Sequence, residues 1–281
     1  MNLVVSGPLD SGLISAIGHA TGAPSIVRLH ATACRYEGVD ASLETRASID
    51  KLCALSRTDH AFVDVEPGFA SFGLLAMDMD STLITIECID EIADYVGKKK
   101  EVAAITEAAM RGEIADFAES LKRRVALLAG TSEVVLKDVF DQRLKLSEGA
   151  HALLSAAKSA NLYTLLVSGG FTYFTDRLVE SLSLDAGHSN RLEIIDGKLT
   201  GKVVEPIFGS AEKASTLTDA LIALDLPPKA AIVIGDGSND IPMMNLVEHS
   251  IAYHGKPAVT QAAQHAVRYG TLATVVDYFS R

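Results

Sequence analysis

Two aspartates two positions apart, Asp78 and Asp80, stand where an apolar run, Leu74-Leu75-Ala76-Met77, gives way to Ser81-Thr82. Carboxylates at that spacing can face one pocket and divide nucleophilic attack from proton transfer. The same D-x-D before Ser-Thr also reads as an Asx-turn with a helix cap. A second cluster, Ser168-Gly169-Gly170-Phe171, offers a hydroxyl and backbone N–H groups with no Cβ in the way. That suits a phosphoryl oxygen, although any strand-to-helix turn can use Ser and Gly. The third cluster, Gly235-Asp236-Gly237-Ser238-Asn239-Asp240, carries two carboxylates and an amide, more than capping a helix requires. Carboxylates crowded together repel and raise one another's pKa unless a cation sits among them. A hard divalent ion with oxygen ligands resolves this, and Mg2+ is the usual one where phosphate is handled. Lys213, in a helical stretch, reads by itself as a solvated side chain.

Each cluster follows an apolar run of strand length: Leu74–Met77, Tyr163–Val167 and Ala230–Ile234. Between them lie helical stretches at Gly149–Ala160, Thr172–Leu182 and Glu212–Leu224. The alternation predicts a doubly wound α/β fold, a mostly parallel sheet covered on both faces, with ligand chemistry at the carboxyl ends of its strands. Two inserts interrupt it. Residues from about 86 to 145 show only helical periodicity (Ile89–Tyr95, Glu101–Met110, Phe117–Leu128) and are read as an all-helical cap. Leu192–Ile195, Asp196-Gly197 and Lys198–Thr200 read as a β-hairpin turning at Asp-Gly. The run Lys98-Lys99-Lys100 is read as the basic C-terminal end of a helix.

Residues 1 to about 70 have a rhythm of their own, with strands at Leu3–Ser6, Ser25–Cys34 and Ala61–Val65 and helices at Gly12–Thr21 and Leu43–Leu55. This predicts a small α+β unit, a sheet with helices on one face. In pattern, without a motif, it resembles small regulatory ligand-binding domains of the ACT type. The plainer reading is a structural or dimerising appendage, with a homodimer through this unit as one assembly it allows. The expected division is therefore 1–70 and 71–281.

Taken in order, Asp78-x-Asp80-x-Thr82, Ser168, Lys213 and Gly235-Asp236-Gly237-x-x-Asp240 resemble the signature of the haloacid dehalogenase-like phosphatases. The resemblance covers residues 71 to about 281. It narrows to the phosphoserine phosphatases of that superfamily through Glu87 with Ile89-Asp90-Glu91-Ile92-Ala93, through Met110, Phe117 and Ser120–Val125 in the insert, and through Asn190-Arg191-Leu192 leading to Asp196–Gly201. Met79 departs from the Phe often found there.

The resemblance implies a Mg2+-dependent enzyme acting on phosphoserine in the last step of serine biosynthesis. Asp78 would attack phosphorus and Asp80 would act as acid and then base. Asp78, the backbone carbonyl of Asp80 and Asp236 would hold the metal. Ser168, Gly169, Lys213 and Asn239 would bind the phosphoryl oxygens, with Gly170 and Asp240 in support. Glu87 would pair the substrate ammonium and Arg124 its carboxylate, while Met110 and Phe117 would close an apolar wall. Without the resemblance, Glu87 and Arg124 read as a solvated helix face. A phosphotransferase or broad phosphomonoesterase of the same superfamily is the nearest alternative. An amino-acid-sensing protein with an idle phosphatase fold is a more distant one.

The 281 residues carry a formal charge of −11, which argues against a nucleic-acid footprint, since that needs clustered Lys and Arg. An anionic substrate must then be met by a local pocket of cations. Hydrophobic residues at 48% and charged residues at 22% are ordinary globular usage, enough to build a core. No run of about 18 apolar residues and no signal-like start is present, and Cys34, Cys53 and Cys88 form no C-x-x-C pair. A cytoplasmic protein without membrane or nucleic-acid partners is expected.

Overall fold

A computed structural model describes residues 1–64, 68–111, 113–114 and 116–280; the side chain of Met110 also lies outside the described part. The first residues form β1 (Asn2–Ser6), α1 (Ser11–Thr21), β2 (Ser25–His30), β3 (Ala33–Glu37), α2 (Leu43–Ser56) and β4 (Asp59–Val63). Asp10 caps α1 by accepting from the Leu13 N–H at 2.7 Å, and Gly22 ends it in the left-handed region that glycine enters freely. The strands make one antiparallel sheet in the order β2-β3-β1-β4.

The single strand expected at Ser25–Cys34 is therefore a hairpin of two. Its turn at Ala31-Thr32 lacks Gly, Pro, Asn and Asp and so gives no sequence signal. It is held instead by Arg28, which donates from Nε to the His30 carbonyl at 3.0 Å and also bonds the Ala31 carbonyl. Val65, the last residue of the third expected strand, lies outside the described residues.

Beyond Ala70 follow β5 (Leu74–Met77), α3 (Cys88–Tyr95), α4 (Lys99–Met110), α5 (Phe117–Ala126), α6 (Val134–Gln142), α7 (Ala150–Ser159) and β6 (Tyr163–Phe171). Then come α8 (Thr172–Leu182), β7 (Ala186–Ile195), β8 (Lys198–Val204), α9 (Ser210–Ala223), β9 (Ala231–Gly235) and α10 (Ile241–Met244). The chain closes with β10 (His249–Tyr253), α11 (Pro257–Ala262), β11 (His265–Val267) and α12 (Thr274–Tyr278). The sheet order is β11-β10-β9-β5-β6-β7-β8, parallel except where β8 returns against β7. That return is the expected hairpin, turning through Asp196 (φ 50°) and Gly197 (φ 71°).

All four residues of β5 are fully buried, and their alternation explains how. Leu75 and Met77 join the core shared with α7 and α8, while Leu74 and Ala76 join the core shared with α9 and α10. Each such Leu or Met contributes about 1.5–3 kcal/mol on burial, so the central strand is fixed on both faces.

The helices α3 to α6 occupy the region expected to be a cap. Gly97, at φ 71°, ends the first of them, and Lys98 stands as the N-terminal cap of α4. The Lys98–Lys100 run thus lies at the start of a helix, against the favourable sense of its dipole, and not at a helix end as expected. Nearby acids compensate, with Lys98 Nζ 3.0 Å from Glu101 and Lys99 Nζ 3.6 Å from Glu91.

The small sheet has α1 and α2 on one face, over Leu3, Val5, Cys34 and Tyr36. Its other face, Val4, Ala61 and Val63, is continuous with the main core through Val275, Tyr278 and Phe279 in and after α12. Polar ties seal that seam, including Ser6 Oγ to Asp277 at 2.6 Å and Arg35 to the Ser280 carbonyl at 3.1 Å.

Candidate active site

The strands that carry the three clusters are neighbours, in the order β9-β5-β6, and their register is level. Met77 pairs with Leu166 on one side and Ile234 on the other, so Asp78 emerges between Ser168 and Gly235-Asp236. The Asp78 N–H donates to the Ile234 carbonyl at 2.9 Å, which fixes its height. Beyond Asp78 the backbone turns sharply, with Ser81 at φ 56°. Ser81 Oγ then donates to Glu87 at 2.8 Å, bringing the start of α3 to the site.

Lys213, from the first turn of α9, is wholly buried, where sequence alone reads it as solvated. Its ammonium bonds Asp78 and lies 2.7 Å from Asp240. Burial works against its charge, but the two carboxylates outweigh that and hold its pKa above the usual lysine range. Asp240 is fixed in turn by the N–H groups of Asp236 (3.2 Å) and Gly237 (3.0 Å).

Burial pushes the Asp78 carboxyl well above its usual pKa; Lys213 pulls it back, and Asp240 and Asp236 push it further up. Asp80 is pushed up to about 7, first by burial and then by Glu87, while the Cys88 N–H at 3.3 Å pulls the other way. A carboxyl near 7 can give or take a proton at neutral pH. Asp236 is raised to about 6 by burial and by Asp240 and Glu87.

Carboxylate oxygens of Asp78, Asp236 and Asp240 lie within 4.8 Å of one another. Three buried or half-buried acids so close, two of them (Asp78 and Asp236) with carboxyls already pushed up, fit a hard divalent cation, which would lower the cost of their charge. The Asp80 carboxylate stands apart from this group, turned to Cys88.

Around these groups is a cavity of about 540 Å³. Asp78, Asp80, Asp236 and Asn239 line it together with Ser168, Gly169 and Gly170 from the strand ends, and Glu87, Phe117 and Arg124 line it from the helical insert. Lys213 is buried against Asp78. Gly170 has no room for a side chain, since a Cβ would sit 2.8 Å from Asp80 Oδ2. At Gly169 a Cβ would sit 2.9 Å from the Phe117 ring, which roofs the loop. Ser168 Oγ accepts from the Gly170 N–H at 2.9 Å. Arg124 is kept only partly solvated, so burial lowers its pKa while Asp90, Glu87 and Asp80 support its charge.

Asp90, Asp116, Ser210 and Lys256 also line the cavity and were given no role on sequence grounds. Asp90 falls within the Ile89–Ala93 stretch that carries the resemblance, and the other three lie in none of its motifs. Asn190 supports from behind, donating to the carbonyls of Gly169 (2.9 Å) and Phe208 (2.8 Å) and accepting from the Phe208 N–H (2.7 Å).

A family model of haloacid dehalogenase-like hydrolases matches residues 75–245. The chain belongs to that family. This hydrolase is 50% identical over 214 residues to a phosphoserine phosphatase of Albidiferax ferrireducens, covering 75% of this chain and 90% of the relative. A solved family hydrolase of Salmonella enterica serovar Typhi superposes with a TM-score of 0.90 at 31% identity, covering 99% of this chain and 98% of the other. A probable phosphoserine phosphatase of Vibrio cholerae, solved without ligand, gives 0.84 at 34% identity, covering 99% of this chain and 86% of that one. The hydrolase has no described helix long and apolar enough to cross a membrane.

Proposed function

We propose that the chain is a Mg2+-dependent phosphoserine phosphatase that hydrolyses O-phosphoserine to serine and phosphate, the last step of serine biosynthesis. The observation that carries the reading is a cavity joining two kinds of wall. From the strand ends come Asp78 and Asp80, with Lys213 and Asp240 buried against Asp78; from the helical insert come an acid and a base, Glu87 and Arg124. The first suits a phosphoryl group, and the second suits the ammonium and carboxylate of an amino acid.

In the first half-reaction an Asp78 oxygen attacks phosphorus, the bond from phosphorus to the serine oxygen breaks, and protonated Asp80 gives that oxygen its proton. In the second, Asp80 takes a proton from water as the water attacks phosphorus, and phosphate leaves with release of Asp78. Lys213 holds Asp78 in place, and with Ser168, the Gly169 N–H and Asn239 it meets the charge on the phosphoryl oxygens. Asp78, Asp236 and the Asp80 carbonyl would hold Mg2+, which when bound offsets the negative charge of phosphate and carboxylates. Phe117 screens the site from bulk water.

The reading is tested by phosphate release from a panel of phosphomonoesters. Phosphoserine should be the preferred substrate, EDTA should abolish turnover, and Mg2+ should restore it while Ca2+, with its looser shell, restores little. Undiminished activity in EDTA would sink the metal assignment, and indifference to the alcohol portion would sink the substrate assignment.

Arg124 gives a sharper test of the second wall. Arg124→Ala should cost phosphoserine about 2–4 kcal/mol in kcat/KM, as for truncating a desolvated charge pair. An aryl phosphate, which lacks the carboxylate, should lose far less. Equal losses for both substrates would overturn the role.

Cytoplasmic location belongs to the same proposal and is supported by three free, buried cysteines. So does a structural or regulatory role for residues 1–70. A homodimer through that unit would have to use the β2 edge or the outer sides of α1 and α2, because α12 occupies the other sheet face.

A further inference from the structure

The N-terminal unit touches the main body at a point that leads back to the cavity. Asp59, the first residue of β4, is 1% exposed. Among the described residues its carboxylate is matched not by a cation but by successive backbone N–H groups of one turn. Oδ1 accepts from Arg268 at 2.7 Å, both oxygens accept from Tyr269 at 3.2 Å, and Oδ2 accepts from Gly270 at 2.6 Å. A carboxylate satisfied by consecutive N–H groups fixes the backbone that bears them. Gly270 is required there, since a Cβ would lie 2.9 Å from Asp59 Oδ2.

The far side of that turn holds His254. Its Nε2 donates to the Gly270 carbonyl at 2.8 Å, and its backbone N–H donates to the Val267 carbonyl at 2.8 Å. His254 sits in the left-handed region (φ 46°), a conformation that persists only when neighbours enforce it. Two residues on, the Lys256 N–H donates to the Asp236 carbonyl at 3.2 Å, and Lys256 lines the cavity. The acidic lining faces two cations among the described residues, Arg124 and Lys256. Arg124 is on the insert, assigned above to the substrate carboxylate, whereas Lys256, bonded through its N–H to the Asp236 carbonyl, is on the phosphoryl side, where it would add to the buried Lys213.

We propose that Asp59 is a positioning residue for the active site. Through the 268–270 turn and His254 it holds Lys256 where its ammonium meets the substrate's phosphoryl group. The proposal rests on the phosphomonoesterase reading, and gives residues 1–70 a part in substrate binding without placing any of them in the cavity.

The test is a double-variant cycle in the full-length Mg2+-loaded protein, with KM and kcat for phosphoserine and inhibition by inorganic phosphate measured for each member. Lys256→Ala should raise KM and the phosphate inhibition constant about tenfold with kcat nearly unchanged, the pattern of lost uniform binding. Asp59→Asn should raise both constants about threefold, and the double variant should be no worse than Lys256→Ala alone, since residues acting in series are not additive. Amide exchange at Lys256 should also quicken in Asp59→Asn. If Asp59→Asn does not fold, His254→Asn serves in its place, because Asn tolerates the left-handed backbone but cannot reproduce the bond to Gly270. A lowered melting temperature with KM and Lys256 exchange unchanged, or losses that multiply in the double variant, would overturn the proposal. Failure of the wild-type protein to hydrolyse phosphoserine would instead count against the underlying function.

Discussion

Asp78→Asn should remove turnover of every phosphomonoester, by about 10⁴-fold or more, as expected when a nucleophile is lost. The substitution keeps the shape of a residue that is only 4% exposed but deletes its negative charge. Three consequences follow from that one change: no oxygen attacks phosphorus, Lys213 loses one of its two carboxylate partners, and the acidic group around Asp236 loses a member. The loss should fall almost wholly in kcat and be the same for phosphoserine and an aryl phosphate, which sets it apart from Arg124→Ala. Steady-state kinetics on both substrates decides it. Residual activity within tenfold of the parent protein would remove Asp78 from the nucleophile role.

Lys213→Met should damage both fold and activity. The methionine fills most of the space but leaves the buried Asp78 and Asp240 without the cation that separates them. Removing one partner of a buried ion pair costs about 3–5 kcal/mol, because the remaining charge stays desolvated. For a protein of this size that corresponds to a fall of roughly 6–20 °C in melting temperature. Activity should drop a further 10²–10³-fold or so, the usual loss for one charge-stabilising donor. Calorimetry and kcat/KM measured in parallel test both parts. A melting temperature within about 2 °C of the parent would show that the ion pair is not what holds α9 against the site.

Much of this site is legible in the sequence because strand ends are places where pattern and chemistry coincide. Leu74–Met77 announces a doubly buried strand by composition, and its end must open on the carboxyl edge of the sheet, so Asp78 can be placed before any coordinates exist. Lys213 is legible only through its motif neighbours, since nothing local distinguishes a buried lysine from a solvated one in a helix. Lys256 carries no such company, and its position depends on contacts between segments of the chain, while Asn190 falls in a stretch that carries the resemblance but whose pattern does not show that its side chain ties Gly169 to Phe208. The hairpin at Ala31-Thr32 is invisible for a different reason. Turn propensity resides in Gly, Pro, Asn and Asp, whereas this turn is held by the Arg28 side chain. The Lys98–Lys100 run shows the limit of charge-dipole reasoning, because neighbouring Glu91 and Glu101 offset the unfavourable helix end.

The seam between α12 and the small sheet has a consequence for how the chain is made. Ser6 and its partner Asp277 are 271 positions apart. A ribosome adding about 5–20 residues per second delivers β1 and β4 roughly ten to forty seconds before α12 emerges. During that interval the face bearing Val4, Ala61 and Val63 lacks the cover that Val275, Tyr278 and Phe279 later give it. The antiparallel sheet can pair its strands early, yet it must wait for α12 to be made before that apolar surface is closed. Nascent chains stalled short of residue 274 should therefore be the species most prone to aggregate or to be held by chaperones.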